Sequence, residues 1–145
     1  MCSSFKSEIL KGLHALGTTV TRGATTADTI KAALFLASAS LGAATTAYSA
    51  TGEVSGSGYS AGGVTVTNAN APSTSGTTGI WTPSASIVYT SVTLSTAFDA
   101  VLLYNSSQSD RAISVHTFGS QTITAGTFTL TMPTNDASNA LIRIA

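Results

Sequence analysis

Apolar residues recur at three- and four-residue steps in one stretch of the chain, through Phe5, Ile9, Leu10, Leu13 and Leu16; elsewhere they alternate with threonine and serine. The first pattern predicts an amphipathic helix over residues 4–16, opened by Ser3 or Ser4, with Glu8 in an early turn and Gly17 as its stop. A helix of about three turns is marginal alone in water, so its stripe must pack on its own domain or on a neighbouring subunit. The second pattern predicts strands at 29–36, 63–67, 87–94, 100–104, 112–118, 121–125, 127–132 and 141–144. Within 87–94, Val88, Val92 and Leu94 fall on one face, with Ile87 and Tyr89 on the other. Within 127–132, Phe128, Leu130 and Met132 share a face opposite three threonines, so one side is buried and the other wet. The unbroken apolar run 100–104 reads as a strand covered on both sides.

Punctuation between these runs is plain. Asn105-Ser106-Ser107-Gln108-Ser109-Asp110 reads as a hairpin turn, Gly119-Ser120 as a break and Gly126 as a bulge or turn. Pro133 ends its strand because proline has no N–H for a ladder. Residues 18–27 read as a polar linker, and residues 69–82, ending in Ile80-Trp81-Thr82, as the least structured part of the chain. Seven or so short strands without alternating βα units predict an all-β protein, an antiparallel β-sandwich or jelly-roll-like barrel. On this reading residues 1–27 form an N-terminal helical arm and linker, and residues 28–145 the β domain.

Composition sharpens the picture. Only 8% of the 145 residues are charged, against about 25% in an ordinary soluble protein, and the formal net charge is zero. With so little repulsion between copies, association is favoured over life as a freely diffusing monomer. An apolar share of 43% supplies enough burial for a fold despite the Ser/Thr-rich background. Lys6, Lys11, Arg22, Lys31, Arg111 and Arg143 are scattered and matched by as many acids, so no basic patch for nucleic acid is expected. The uncharged stretch between Lys31 and Glu53 nominally spans a bilayer, but it dissolves into Ser, Thr, Gly and Ala and is expected to be strand followed by loop. Lys6, Glu8 and Lys11 interrupt the start where a secretory leader would need an apolar run, so a cytoplasmic origin is expected. Cys2 alone can form no intrachain disulfide, and His14 and His116 fall in different kinds of element, so neither metal nor cofactor is expected.

Two catalytic look-alikes overlap in the glycine-dense segment 53–68. Gly56-Ser57-Gly58-Tyr59-Ser60-Ala61 has the spacing of a phosphate loop, and Gly58-Tyr59-Ser60-Ala61-Gly62 that of a nucleophile elbow, with Asp99 or Asp110 and then His116 following in hydrolase order. Both motifs must open a helix, whose N–H groups hold the phosphate or whose first turn exposes the serine. Here the glycines lead into Val64-Thr65-Val66-Thr67, so they are expected to serve a turn before a strand, and no enzyme is predicted. Glu53, Asp99, Asp110 and Asp136 read as turn and strand-end carboxylates rather than as a glycosidase pair. The Asn105-Ser106-Ser107 sequon reads as hairpin turn. Trp81 is equally a core plug or an exposed interface anchor.

The order of segments carries a resemblance. The strand Thr29-Ile30-Lys31-Ala32-Ala33-Leu34-Phe35 is followed by Tyr48-Ser49-Ala50-Thr51-Gly52-Glu53-Val54, then by Gly58-Tyr59-Ser60-Ala61-Gly62-Gly63. Phe98-Asp99-Ala100-Val101-Leu102-Leu103-Tyr104-Asn105 comes later, and a return strand ends at Phe118-Gly119. Over residues 28–145 this order resembles the capsid cement, or decoration, proteins of tailed double-stranded-DNA bacteriophages. The resemblance implies a small β-sandwich or jelly-roll-like protein on the outer surface of the virion, made in the host cytoplasm. Its partners would be the major capsid protein and itself, a homodimer ahead of a trimer, with no nucleic acid and no membrane. The shell contact is expected from the arm, through Phe5, Ile9 and Leu13, or from the 69–81 loop with Trp81. The competing reading is a tail, baseplate or fibre component that binds another protein or a host surface sugar; whether the chain sits on head or tail separates the two.

Overall fold

A computed structural model describes residues 1–10, 12–14, 16–17, 27–67 and 70–145, with backbone alone for residues 6–8 and 10. The chain is nearly all β, in two antiparallel sheets. The large sheet has the order β2-β1-β5-β6, from Val64–Thr65 (β2), Ile30–Leu36 (β1), Ile87–Asn105 (β5) and Arg111–Leu130 (β6). The small sheet has the order β3-β4-β7, from Ser73–Ser75 (β3), Thr78–Trp81 (β4) and Ile142–Ile144 (β7). The sandwich expectation agrees with two antiparallel sheets.

The centre of the large sheet is the part that composition dictates most strongly. β1 pairs with β5 from Ile30 opposite Asn105 to Leu36 opposite Phe98, and Val101, Leu102, Leu103 and Tyr104 are at most 4% exposed. Burying aliphatic side chains of this size contributes about 1.5–3 kcal/mol each, which is why the apolar run sits inside on both faces. Tyr48 stacks on Tyr104 with ring centroids 4.6 Å apart and lies edge-on to Phe35, so these rings cover one face. Leu141 and Met132 approach Val101 and Leu103 from the other.

Several expected breaks turn out to be bulges. Residues 87–94 and 100–104 join into one 19-residue strand, and 112–118, 121–125 and 127–130 into one of 20 residues. Five register shifts along the ribbon absorb the break signals, with Ser91 at φ 54 and Ala125 at φ 46. The Ser91 bulge also corrects the face assignment: Tyr89, Val92 and Leu94 are buried together while Val88 is 41% exposed. An extra residue in a strand reverses the alternation beyond it. β6 ends at Leu130, ahead of Met132.

At the N-terminus, Ser3–Leu10 (α1) is shorter than the predicted 4–16. Gly12, at φ 68, donates its N–H to the Ile9 carbonyl at 2.8 Å and closes the helix, the glycine stop falling five residues before the expected Gly17. Phe5 and Cys2 are fully buried in the same core as Leu34, Leu102 and Ile113. The linker at 18–26, Arg22 included, lies outside the described residues, as do 68 and 69. The rest of the supposedly structureless 69–82 segment holds a two-residue hairpin, β3 to β4, turned at Gly76 with φ 60.

Candidate functional site

The glycine-dense segment runs along the large sheet backbone to backbone. Ser57 bridges to Thr93, and Thr93 N–H donates to the Ser57 carbonyl at 2.8 Å. A Cβ on Gly56 would sit 2.0 Å from the Thr93 oxygen and one on Gly58 2.2 Å from the Ser91 oxygen, so no other residue fits without moving β5. The glycines therefore permit close approach to one strand and lead into another, β2, in place of the helix that either catalytic motif requires. Ser60 is exposed on this side of the sheet, whereas His116 lies on β6, beyond β1 and β5 in the strand order. His116 Nε2 is 2.9 Å from Ser114 Oγ, and burial, with the chain's amino terminus adding to it, lowers the pKa of the ring. Asp99 sits on β5, and Asp110 takes a positive φ in the hairpin turn, where its carbonyl accepts the Tyr48 N–H.

Glu53 does have a constellation around it, one the sequence reading missed. Its Oε2 accepts the Tyr48 hydroxyl at 2.7 Å; its Oε1 accepts the Tyr59 hydroxyl at 2.7 Å and the Gly62 N–H at 2.8 Å. Tyr59 in turn accepts the Leu34 N–H at 3.0 Å, Tyr104 donates to the Gly62 carbonyl at 2.8 Å and Tyr89 to the Ala32 carbonyl at 2.8 Å. The four tyrosines and this one carboxylate thus tie the glycine loop to β1 and β5. Desolvation by burial is the first cause raising every one of the tyrosine pKa values, with the Glu53 charge contributing, and Tyr104 reaches about 12. The available signal was that Glu53 is the only charged residue between Lys31 and Asp99. Its bonds are structural: each oxygen is already an acceptor for the fold.

Asn105 is also spent on the fold. It is fully buried, its Nδ2 donates to Asp28 Oδ2 at 2.7 Å and lies 3.0 Å from His14 Nδ1, and its Oδ1 accepts the Ser107 N–H at 3.1 Å. The sequon is thus a turn whose asparagine holds the returning arm against the end of β5. Asp136 caps its own turn, accepting Thr134, Ser138 and Asn139, which hold its pKa well below the usual carboxylate range. Among the described residues, no group of three His, Cys, Asp or Glu side chains is placed to hold a metal, and no helix is long and apolar enough to cross a membrane.

The residues expected at an interface divide. Phe5 and Trp81 are at most 1% exposed and pack within this protomer, Trp81 donating its indole N–H to the Asn70 carbonyl at 3.1 Å. Trp81 is therefore the core plug of its two readings. Ile9 is half-buried and, with Leu16, His14, Trp81, Ile142 and Ile144, lines an apolar cavity of about 180 Å³ between arm and small sheet. Leu13 is half-exposed.

What the surface does offer is an edge. β6 is the last strand of the large sheet, and other segments reach its outer side only near its start, where Cys2 N–H donates to the Ile113 carbonyl and Ala112 N–H to the Thr46 carbonyl. Among the described residues, no other segment pairs along that side of residues 115–130. Residues 112–135 contain no Asp, Glu, Lys or Arg. The open row of N–H and C=O groups on such an edge can take up another extended chain. Comparison with protein-family models, curated proteins and solved structures gives no match.

Proposed function

We propose that the chain is a structural virion protein that binds the outside of a phage capsid and bridges major capsid subunits, stabilising the shell. The observation that carries this reading is the long, uncharged edge of β6 that no described segment pairs, because strand addition there can join copies into a unit broad enough to span neighbouring capsid subunits through many modest contacts. The segment order shared with cement proteins and the near absence of charge support the same role. Each bound copy adds contact area that must be broken before internal pressure separates capsomers. The tyrosine-clamped glycine loop would keep the sheet rigid under that load.

Purified phage particles test this directly, by labelling the protein and imaging where it sits and in how many copies. Hundreds of copies distributed over the head are expected. A few copies at the tail would transfer the protein to the tail, baseplate or fibre class, and absence from the particle would remove the virion role altogether.

A further inference from the structure

The outer half of β6 reads almost the same in both directions. Around Ile123 the residues pair off as Thr122 with Thr124, Gln121 with Ala125, Ser120 with Gly126, Gly119 with Thr127, Phe118 with Phe128 and Thr117 with Thr129. Three of the six pairs are identical and the others join small or uncharged residues. In an antiparallel pair of strands related by a two-fold axis, each residue meets its mirror position in the other copy. A strand that is nearly its own mirror therefore presents to a second copy the sequence it already has.

From this we infer that two copies of the chain associate edge to edge through β6, antiparallel, with the two-fold axis at Ile123. The segment lies on the open edge described above, and Thr117, Thr122, Thr124, Thr127 and Thr129 are exposed. Threonines opposite one another across an antiparallel pair are favourable neighbours, while the absence of charge removes the repulsion that identical edges otherwise suffer. Protein edges are commonly blocked by lysine, proline or a bulge. This one has no lysine or proline between residues 112 and 132, but β6 is irregular at two places, between Thr117 and Gln121, where a four-residue step faces a two-residue step of β5, and at the Ala125 bulge. There the N–H is already taken by Thr93 Oγ1 at 3.0 Å, so the stretches on either side of residue 125 supply the pairing. From Thr117 to Thr129 the edge is at most about 40 Å long at about 3.4 Å per residue, shortened by its two irregular steps, and the paired sheets would form one continuous eight-stranded sheet across the dimer. The inference deepens the proposed role but does not rest on it, since pairing is measured on the purified chain alone.

Sedimentation equilibrium of the full chain and two double variants tests it. The wild type is expected to be a dimer. In the paired strands position 122 of each copy faces position 124 of the other. T122K/T124K therefore sets like charges against each other on both sides of the axis and is expected to weaken self-association about tenfold or more. T122K/T124E sets opposite charges against each other at the same two places and is expected to restore the dimer. Both positions are exposed, and far-UV circular dichroism with a melting curve confirms that each variant is folded. A wild type that stays monomeric at every concentration would give the edge to a different protein and overturn the inference. So would a trimer, or a dimer that both variants leave unchanged.

Discussion

The two ends of the β5–β6 ribbon are made of the same two strands and behave differently. Near the hairpin turn, residues 100–105 pair with 111–117 between β1 and the 46–48 segment, and the strand residues of β5 there are all buried. At the far end, residues 87–94 pair with 123–130 through bulges, flanked on one side by the glycine loop and, among the described residues, by no paired segment on the other. An apolar residue at almost every position fixes the first end, because any slip would bring a large side chain to water. At the far end threonine alternates with apolar residues, so a bulge costs little and the edge stays wet. Burial on both faces enforces regularity; burial on one leaves room for bulges and an accessible backbone.

Truncation in the core should show the contrast most strongly. Leu102→Ala at the closed end is expected to cost about 2–5 kcal/mol, and Leu130→Ala at the half-exposed end roughly 1 kcal/mol, by urea denaturation. Equal losses would mean that the open end is as tightly packed as the closed one. Next in size is Glu53→Ala, which leaves the Gly62 N–H and two tyrosine hydroxyls without their acceptor; about 1–3 kcal/mol is expected. Hydrogen exchange should then speed up around residues 56–63 and 91–93 and leave 101–104 protected. Uniform loss of protection would show that the loop and the closed end unfold as one unit.

Alkaline pH probes the same clamp without a mutation. The folded pKa values of the tyrosines lie above their ordinary value of 10, so their contribution to stability is complete below pH 10 and is lost as the pH rises toward the folded values. Absorbance at the phenolate band should therefore lag behind that of the unfolded chain and rise together with unfolding. Free titration of all four tyrosines at pH 10 in the folded protein would count against the clamp. The smallest effect is expected at the bulge: Ala125→Gly relieves a left-handed alanine and should raise stability by about 0.5 kcal/mol. A loss would mean that the alanine methyl matters more than its backbone angle.

Much of the fold is legible in local chemistry. The run Ala100-Val101-Leu102-Leu103-Tyr104 and the turn at 105–110 each state their role through burial or backbone restriction alone, whereas the strand expected to run up to Pro133 already ends at Leu130. The β3–β4 hairpin is hidden because β3 is short, polar and largely exposed and β4 is only four residues long, leaving Gly76 as its main mark. The helix ends earlier than the sequence suggests because Gly12 and Gly17 are equivalent stops by residue type; beyond Gly12 the chain turns so that His14 meets Asn105 and Gly17 lies close against Ala71. At the candidate site, the uncharged β6 segment could be read directly, whereas its place on an open edge could not.

Strand content, the near absence of charge, the two-way reading around Ile123 and the need for glycine where a turn leads into β2 are all written in the order of residues. Tertiary structure decided that the break signals at Ser91 and Ala125 become bulges in two long strands. It also decided that Glu53 meets Tyr48 and Tyr59, that Phe5 and Trp81 face inward, and that no described segment covers the outer side of β6 along residues 115–130. Alternation and turn chemistry act over a few residues and are written locally. Which strand ends at an edge, and which lone carboxylate meets which hydroxyl, depends on contacts between distant segments that no local pattern records.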